Sequence, residues 1–174
     1  MRISKMSLRG LIFAALVAAI YTAITVAQSA IGFGPIQFRV AESLNLLAFF
    51  NPIFVPAVAL GVFLSNLIGS PYGILDAAFG TIATVIALVL IRITKRVLNS
   101  LLVASVWPTL VNAIVIPVVI LLSMGGFEAL TWAAFWPFAG SVFIGQFVVV
   151  NIFGYILFKA LSYNKGFMRI MENL

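Results

Sequence analysis

An all-α integral membrane protein of six helices, with a short second helix and both termini in the cytosol, is the fold this sequence predicts. Three observations lead there. Uncharged apolar runs extend from Gly10 to Phe38, Ser43 to Leu75, Val97 to Phe127 and Ala129 to Phe158, and a spanning helix needs only ~20 predominantly apolar residues. The basic residues fall into three clusters (Arg2, Lys5, Arg9; Arg92, Lys95, Arg96; Lys159, Lys165, Arg169), with Arg39 alone apart. Asn51-Pro52 interrupts what would otherwise be one long apolar helix.

Composition excludes several classes at once. The chain is 64% hydrophobic and 8% charged, with a mean hydropathy of +1.23. The runs do not alternate apolar with polar, so a β-barrel is disfavoured. The first apolar run is of full spanning length and others follow it, which reads as a helix of the fold rather than a cleaved signal peptide. There is no cysteine and no histidine, which removes disulfides, thiolate or imidazole metal sites, cysteine nucleophiles and a histidine base. A formal net charge of +6 reads here as the basic bias of cytosolic loops, not as a nucleic-acid surface.

The elements follow in order. Gly10 to Ala30 forms the first span. All three basic clusters belong in the cytosol, so the chain crosses an even number of times between consecutive clusters. Between Arg96 and Lys159 one helix rises, a Gly125-Gly126 turn breaks it, and a second descends. Between Arg9 and Arg92 a single helix over residues 40–68 would give three crossings and the wrong parity. Proline disfavours helical geometry at the residue before it, so Asn51 is a boundary. The six helices then cover residues 9–30, 39–50, 53–68, 73–93, 98–123 and 131–160, within one transmembrane domain over 1–174. The second covers only ~17 Å, half the hydrocarbon core, and is tolerable only where its ends are buried in protein or line a cavity. Pro56, Pro108 and Pro117 read as ordinary transmembrane prolines or as kinks.

In so apolar a chain an ionisable residue beside a span is a functional-site candidate. Arg39, Glu42 and Asn45 follow a three-residue spacing and share one helix face, descending from the outer surface. The simpler reading is a local ion pair; the functional one has Glu42 accepting hydrogen bonds from a ligand while Arg39 orients it. Asn66 and Tyr72 flank the outer end of the third helix, and Asp76 lies in the first turn of the fourth, where a helix N-terminus alone could explain a carboxylate. Asn112 and Gln146 lie near mid-membrane, where a lone amide commonly bonds to a neighbouring helix. Together Arg39, Glu42, Asn45, Asn66, Tyr72, Asp76, Asn112 and Gln146 outline an outward-facing pocket suited to a planar heterocycle. Glu128, Trp132 and Trp136 read as outer-loop and interfacial-belt residues, and Trp107 as interfacial or core. On the first helix Ala14/Ala18 and Ala15/Ala19 form adjacent small-residue stripes, fit either for packing within the protein or for docking another membrane protein.

The segment Phe33-Gly34-Pro35-Ile36-Gln37-Phe38-Arg39-Val40-Ala41-Glu42 resembles the signature of the QueT family, the queuosine-precursor transporters. The likeness continues through Leu44 to Phe50, Gly61 to Asn66, and Leu75 to Thr84 with Asp76 and Phe79-Gly80-Thr81. It covers most of the first ninety residues, and the remainder by hydropathy only. That family looks like the substrate-binding S component of energy-coupling factor (ECF) transporters. The resemblance implies a multi-pass protein of a prokaryotic plasma membrane without enzymatic activity or cofactor. Its partners would be a transmembrane coupling protein and two cytosolic ATPases, among membrane lipids and without nucleic acid. It further implies that an alanine-x-x-x-alanine stripe, Ala14/Ala18 or Ala15/Ala19, contacts the coupling protein, and that the component topples to carry its pocket inward. The implied ligand is a 7-deazaguanine base in the aminomethyl or cyano form, with Glu42 on the donor edge of the ring and Asp76 offsetting the cation of the aminomethyl form.

Two other classes compete. One is a stand-alone secondary transporter or channel for a small heterocyclic or cationic solute, coupled through Glu42 or Asp76. The other is an intramembrane enzyme, which lacks a paired acid, base and nucleophile. No Gly-x-x-x-x-Gly-Lys-Ser/Thr loop is present, so an ATPase would act in trans.

Overall fold

A computed structural model describes residues 7–32 and 37–174. Arg2 and Lys5 of the first basic cluster, and residues 33–36 of the signature segment, lie outside the described residues. Every described element is helical: α1 (Leu8–Ala27), α2 (Val40–Phe50), α3 (Phe54–Gly69), α4 (Gly73–Val97), α5 (Leu101–Gly125), α6 (Trp132–Ser162) and α7 (Lys165–Glu172). Four stretches are long and apolar enough to cross a membrane: α1, α4, Leu101–Ala129 (α5 with the turn after it) and α6; α2 and α3 are shorter apolar helices. The molecule is a multi-pass membrane protein.

Local signals explain the helix ends. Ser7 Oγ caps α1 by accepting from the Gly10 amide at 3.0 Å. The helix stops at Ala27, earlier than its hydropathy predicts, and one further turn follows at Ser29–Gly32. The Asn51-Pro52 break falls where the sequence puts it: Asn51 is extended, with φ −143° and ψ 133°, and its Oδ1 accepts from the Ile53 amide at 2.9 Å. Arg92, Lys95 and Arg96 lie in the final turns of α4 and not in a loop, where cations favour a helix C-terminus. After α5 the chain turns at Gly126, whose φ of 64° favours glycine.

Helix α2 is wound unusually. Val40–Leu46 is a 3₁₀ helix and only Leu47–Phe50 is α-helical. A 3₁₀ run of this length is uncommon. Its ~2.0 Å rise per residue stretches α2 to about 20 Å, and its three residues per turn eclipse positions i and i+3. The C-terminal end of α2 is capped from a distance: Arg92 Nη1 donates to the Ala48 and Phe49 carbonyls at 3.0 and 3.2 Å. Lys95 sits over the Phe49 ring at 4.5 Å. This resolves the difficulty of a half-length helix, because its free carbonyls meet a guanidinium and not hydrocarbon.

The amphipathic helix α7, absent from the six-helix expectation, seals the same end. Asn164 Oδ1 caps it from the Phe167 amide side at 3.0 Å. Phe167 packs edge-on against Phe50 with ring centroids 5.2 Å apart. Asn51 Nδ2 donates to the Met171 carbonyl at 2.7 Å. The start of α1, the α2–α3 junction, the end of α4 and the end of α6 therefore meet at one end of the bundle, together with the described basic residues other than Arg39.

Two close approaches set the other half. A Cβ at Gly61 would stand 2.8 Å from Tyr21 Cβ and 3.1 Å from the Ala18 carbonyl, so α1 and α3 touch nearly backbone to backbone. Thr22 Oγ1 bridges them, donating to the Ala18 and Gly61 carbonyls at 2.9 and 3.2 Å. Ala14 and Ala18 are consumed in this packing, whereas Ala15 and Ala19 are exposed. On α6, Phe147–Gly154 is a π-helix. Within it Asn151 accepts from Thr109 Oγ1 and donates to Ser105 Oγ at 3.2 Å, tying α6 to α5. Trp107 is half-buried and donates to Thr94 Oγ1 at 2.7 Å, so it reads as core, not belt.

Replacing Arg92 by alanine leaves the Ala48 and Phe49 carbonyls without their donor, a cost of about 1–3 kcal/mol. Thermal unfolding in detergent, followed by circular dichroism, should show a clear drop in midpoint for Arg92→Ala and a smaller one for Arg92→Lys. An unchanged midpoint would mean that the guanidinium does not hold α2.

Candidate functional site

The 3₁₀ winding of α2 produces the site. With three residues per turn, Arg39, Glu42 and Asn45 stack one above the next instead of drifting around the helix. Arg39 Nη2 lies 3.5 Å from Glu42 Oε1, and Asn45 Nδ2 donates to Glu42 Oε2 at 2.7 Å. The network crosses to α3 and α4 through Asn66. Arg39 Nη2 donates to Asn66 Oδ1 at 2.8 Å, and Asn66 Nδ2 donates to the Asp76 backbone carbonyl at 3.1 Å. Both ends of the Asn66 amide are thus engaged, which makes Asn66 a positioning residue.

These groups are closed off from the surroundings. Arg39 is 4% exposed, Glu42 1% and Asp76 2%, and they are the buried charged residues among those described. Gly80 makes room for them: a Cβ there would stand 2.7 Å from Asn66 Nδ2 and 3.0 Å from Asp76 Oδ1. Gly145 does the same on α6, where a Cβ would collide with the Gln37 carbonyl. The strand of chain leading into α2 is therefore laid directly on α6, one residue from Gln146.

The sequence-predicted residues divide into three groups. Arg39, Glu42, Asn45, Asn66 and Asp76 form one connected network. Tyr72 adjoins it: its half-burial and then the neighbouring Asp76 carboxyl push its hydroxyl above the ordinary tyrosine value. Its ring packs on Ile116, Ile120 and Val142 of α5 and α6. Asn112 and Gln146 are each 3% exposed, but no described hydrogen bond joins either to the network. Their Oδ1 and Oε1 atoms are buried without a partner, as are Asn45 Oδ1 and Asp76 Oδ1. A buried polar atom left unpaired costs about 1–3 kcal/mol, so such a group of oxygens calls for a donor-bearing molecule.

Sequence reasoning missed Tyr21. It is fully buried on α1, with its hydroxyl facing Glu42 and Arg39. Its only sequence signal is a phenol in the second half of an otherwise aromatic-free buried stripe of the helix. Two sizeable cavities of about 570 and 510 Å³ lie elsewhere, between α5 and α6, lined by Ile114, Phe135, Trp132 or Trp136 and Phe143. Apart from Thr131 their walls lack side-chain polar groups that could orient a heterocycle other than the indoles, and no network residue lines either.

A bundle of apolar helices enclosing a buried, charged, acceptor-rich network defines a polytopic membrane protein with a polar interior. The QueT transporter family model matches residues 11–163, and the chain belongs to that family. It is a family of transporters and not of enzymes. The chain is also 42% identical over 76 residues to the queuosine precursor transporter QueT of Lactococcus lactis subsp. cremoris (strain MG1363). That similarity spans 42% of this chain and 44% of the relative, less than half of either. No solved structure matches the chain.

Replacing Asn66 by leucine removes one acceptor of a buried guanidinium, and leaving a buried donor unsatisfied costs about 1–3 kcal/mol, more for a charged group. The Asn66→Leu protein should unfold at markedly lower temperature in detergent, and Asn66→Asp should recover much of the loss by restoring the acceptor. Equal stability of Asn66→Leu and the native protein would show that Arg39 does not depend on this contact.

Proposed function

We propose that this protein is the substrate-binding membrane subunit of an ECF-type ABC importer, capturing a queuosine precursor of the 7-deazaguanine class from outside. The observation that carries the reading is the buried network of Arg39, Glu42, Asn45, Asn66 and Asp76, with partnerless oxygens on Asn45 and Asp76; membership of the QueT transporter family supports the substrate class. A guanine-like edge presents a ring N–H beside an exocyclic amine, and a carboxylate accepts both. Glu42 is the acceptor of that edge, Arg39 holds Glu42, and Asn66 holds Arg39. Asn45, Tyr72, Asp76, Asn112 and Gln146 complete the ligand's surroundings.

In this reading the chain is a single transmembrane domain of six crossings, α1 to α6. The basic end, with both termini, faces the cytosol, and Arg39 faces outward. The partners are a transmembrane coupling protein and two cytosolic ATPases. Of the two alanine stripes, Ala15/Ala19 is the docking pair, because Ala14 and Ala18 are covered by α3. A stand-alone secondary transporter is the alternative favoured by two buried carboxyl residues in a membrane interior.

Purification without added ligand, followed by mass spectrometry, should release a 7-deazaguanine base, and Glu42→Gln should lower its affinity at least tenfold. Glu42→Gln binding as tightly as the native protein would remove the edge-recognition role. Ala15→Trp or Ala19→Trp should abolish co-purification of coupling protein and ATPases while ligand binding is unchanged. Uptake by the isolated chain in vesicles lacking ATPases would favour the stand-alone transporter.

A further inference from the structure

The two cavities between α5 and α6 adjoin, sharing Ile114 and Phe135 in their walls, and together they make one groove. Along α6 its lining runs from Trp132 through Trp136 and Gly140 to Ile144, a single face at helical spacing. That face covers about 18 Å at an α-helical rise. One leaflet of the hydrocarbon core is about 15 Å deep, so the groove matches one leaflet's acyl chains in length.

The groove has a closed back and an open front. Ile116, Ile120 and Val142 are buried between the same two helices on the side of Tyr72, whereas Ile114 and Ile144 are 63% and 51% exposed. Its floor is low: Ala139 is buried, and a Cβ placed at Gly140 would meet nothing within 4 Å. A wall with no partner atoms forfeits dispersion contacts, and a molecule that fills the slot restores them.

The two ends differ chemically. At one end the Trp132 and Trp136 indoles stack with centroids 6.2 Å apart, and Phe135 stands edge-on to both. The Thr131 hydroxyl lies beside them. Indoles favour the depth of lipid headgroups. Toward Ile144 the walls carry no polar side chain besides the Trp136 indole. A polar mouth on an apolar slot of one leaflet's length has the dimensions of a phospholipid. A partner helix suits it less, because close helix docking wants a small-residue surface, and here Phe135, Trp136 and Phe143 stand up around Gly140.

We propose that this groove binds one acyl chain of a membrane phospholipid, with the headgroup at Thr131 and Trp132, as a fixed lipid distinct from the bulk bilayer. Asn151 ties one half of the α5–α6 interface through Ser105 and Thr109; the lipid ties the other. The site is independent of the transport reading, since no residue of the Arg39 network lines it.

The test is native mass spectrometry of the full-length protein after exchange into lipid-free detergent. The native protein should retain one phospholipid per molecule, and Gly140→Phe, whose ring fills the groove, should lower that occupancy at least fivefold. Ile86→Phe, on an exposed position of α4 outside the groove, should retain lipid as the native protein does. Adding dioleoylphosphatidylglycerol to stripped native protein should raise its thermal unfolding midpoint, a measurement that needs no variant and that misfolding of Gly140→Phe cannot hide. No retained lipid and no midpoint shift for the native protein overturns the proposal. So does equal retention by Gly140→Phe, or an equal loss in Ile86→Phe. Loss of a bound protein chain in place of lipid from Gly140→Phe also overturns it, and gives the groove to a partner helix.

Discussion

Arg92 reaching the last carbonyls of α2 is the contact on which the architecture rests. A helix of about half a membrane's thickness has an end that cannot be left in hydrocarbon, since each orphaned carbonyl there costs several kcal/mol. The guanidinium from α4 answers that cost at one point, with Asn51 and α7 closing the space beneath. Because this end is settled, the other end of α2 is free to be something besides a membrane crossing. It can point a charged face into the interior of the bundle, where the third and fourth helices begin and end.

The interior face then organises itself through geometry more than through charge. Three residues per turn align Arg39, Glu42 and Asn45, while Gly80 leaves room for Asn66 and Asp76 beside them, Gly61 brings α1 against α3, and Gly145 lets the Gln37 backbone lie on α6. The small residues and the charged ones belong to one design: without the glycines the polar groups would stand too far apart to form a network. Buried oxygens on Asn45 and Asp76 remain without a hydrogen bond inside this network.

Much of this was legible in the residues. The Asn51-Pro52 break and the shared face of Arg39, Glu42 and Asn45 follow from local rules and appear in the structure. The 3₁₀ winding does not follow from them, since Val40–Leu46 has no residue that forbids an α-helix; packing against the π-helical stretch of α6 is a tertiary fact. Lys95 and Arg96 fall beyond the expected end of the fourth helix at residue 93 because hydropathy cannot distinguish a charged helix terminus from the loop after it. Helix α7 escaped because eight residues carrying three charges give too little apolar run to register. Tyr21 escaped because its role depends on which way α1 faces, and that is fixed by Gly61 forty residues away. The same contact separates the alanine stripes, which the sequence left equivalent.

The winding of α2 also gives the site a mechanical length. Seven residues at a 3₁₀ rise span about 3.5 Å more than the same seven at an α rise. With the lower end anchored by Arg92, any relaxation of Val40–Leu46 toward α geometry would draw Arg39 downward by that distance and rotate Glu42 and Asn45 out of register. Such a stroke exceeds the length of the Arg39–Asn66 hydrogen bond, 2.8 Å. The helix would then behave as a short spring, holding the binding face assembled only while it is stretched.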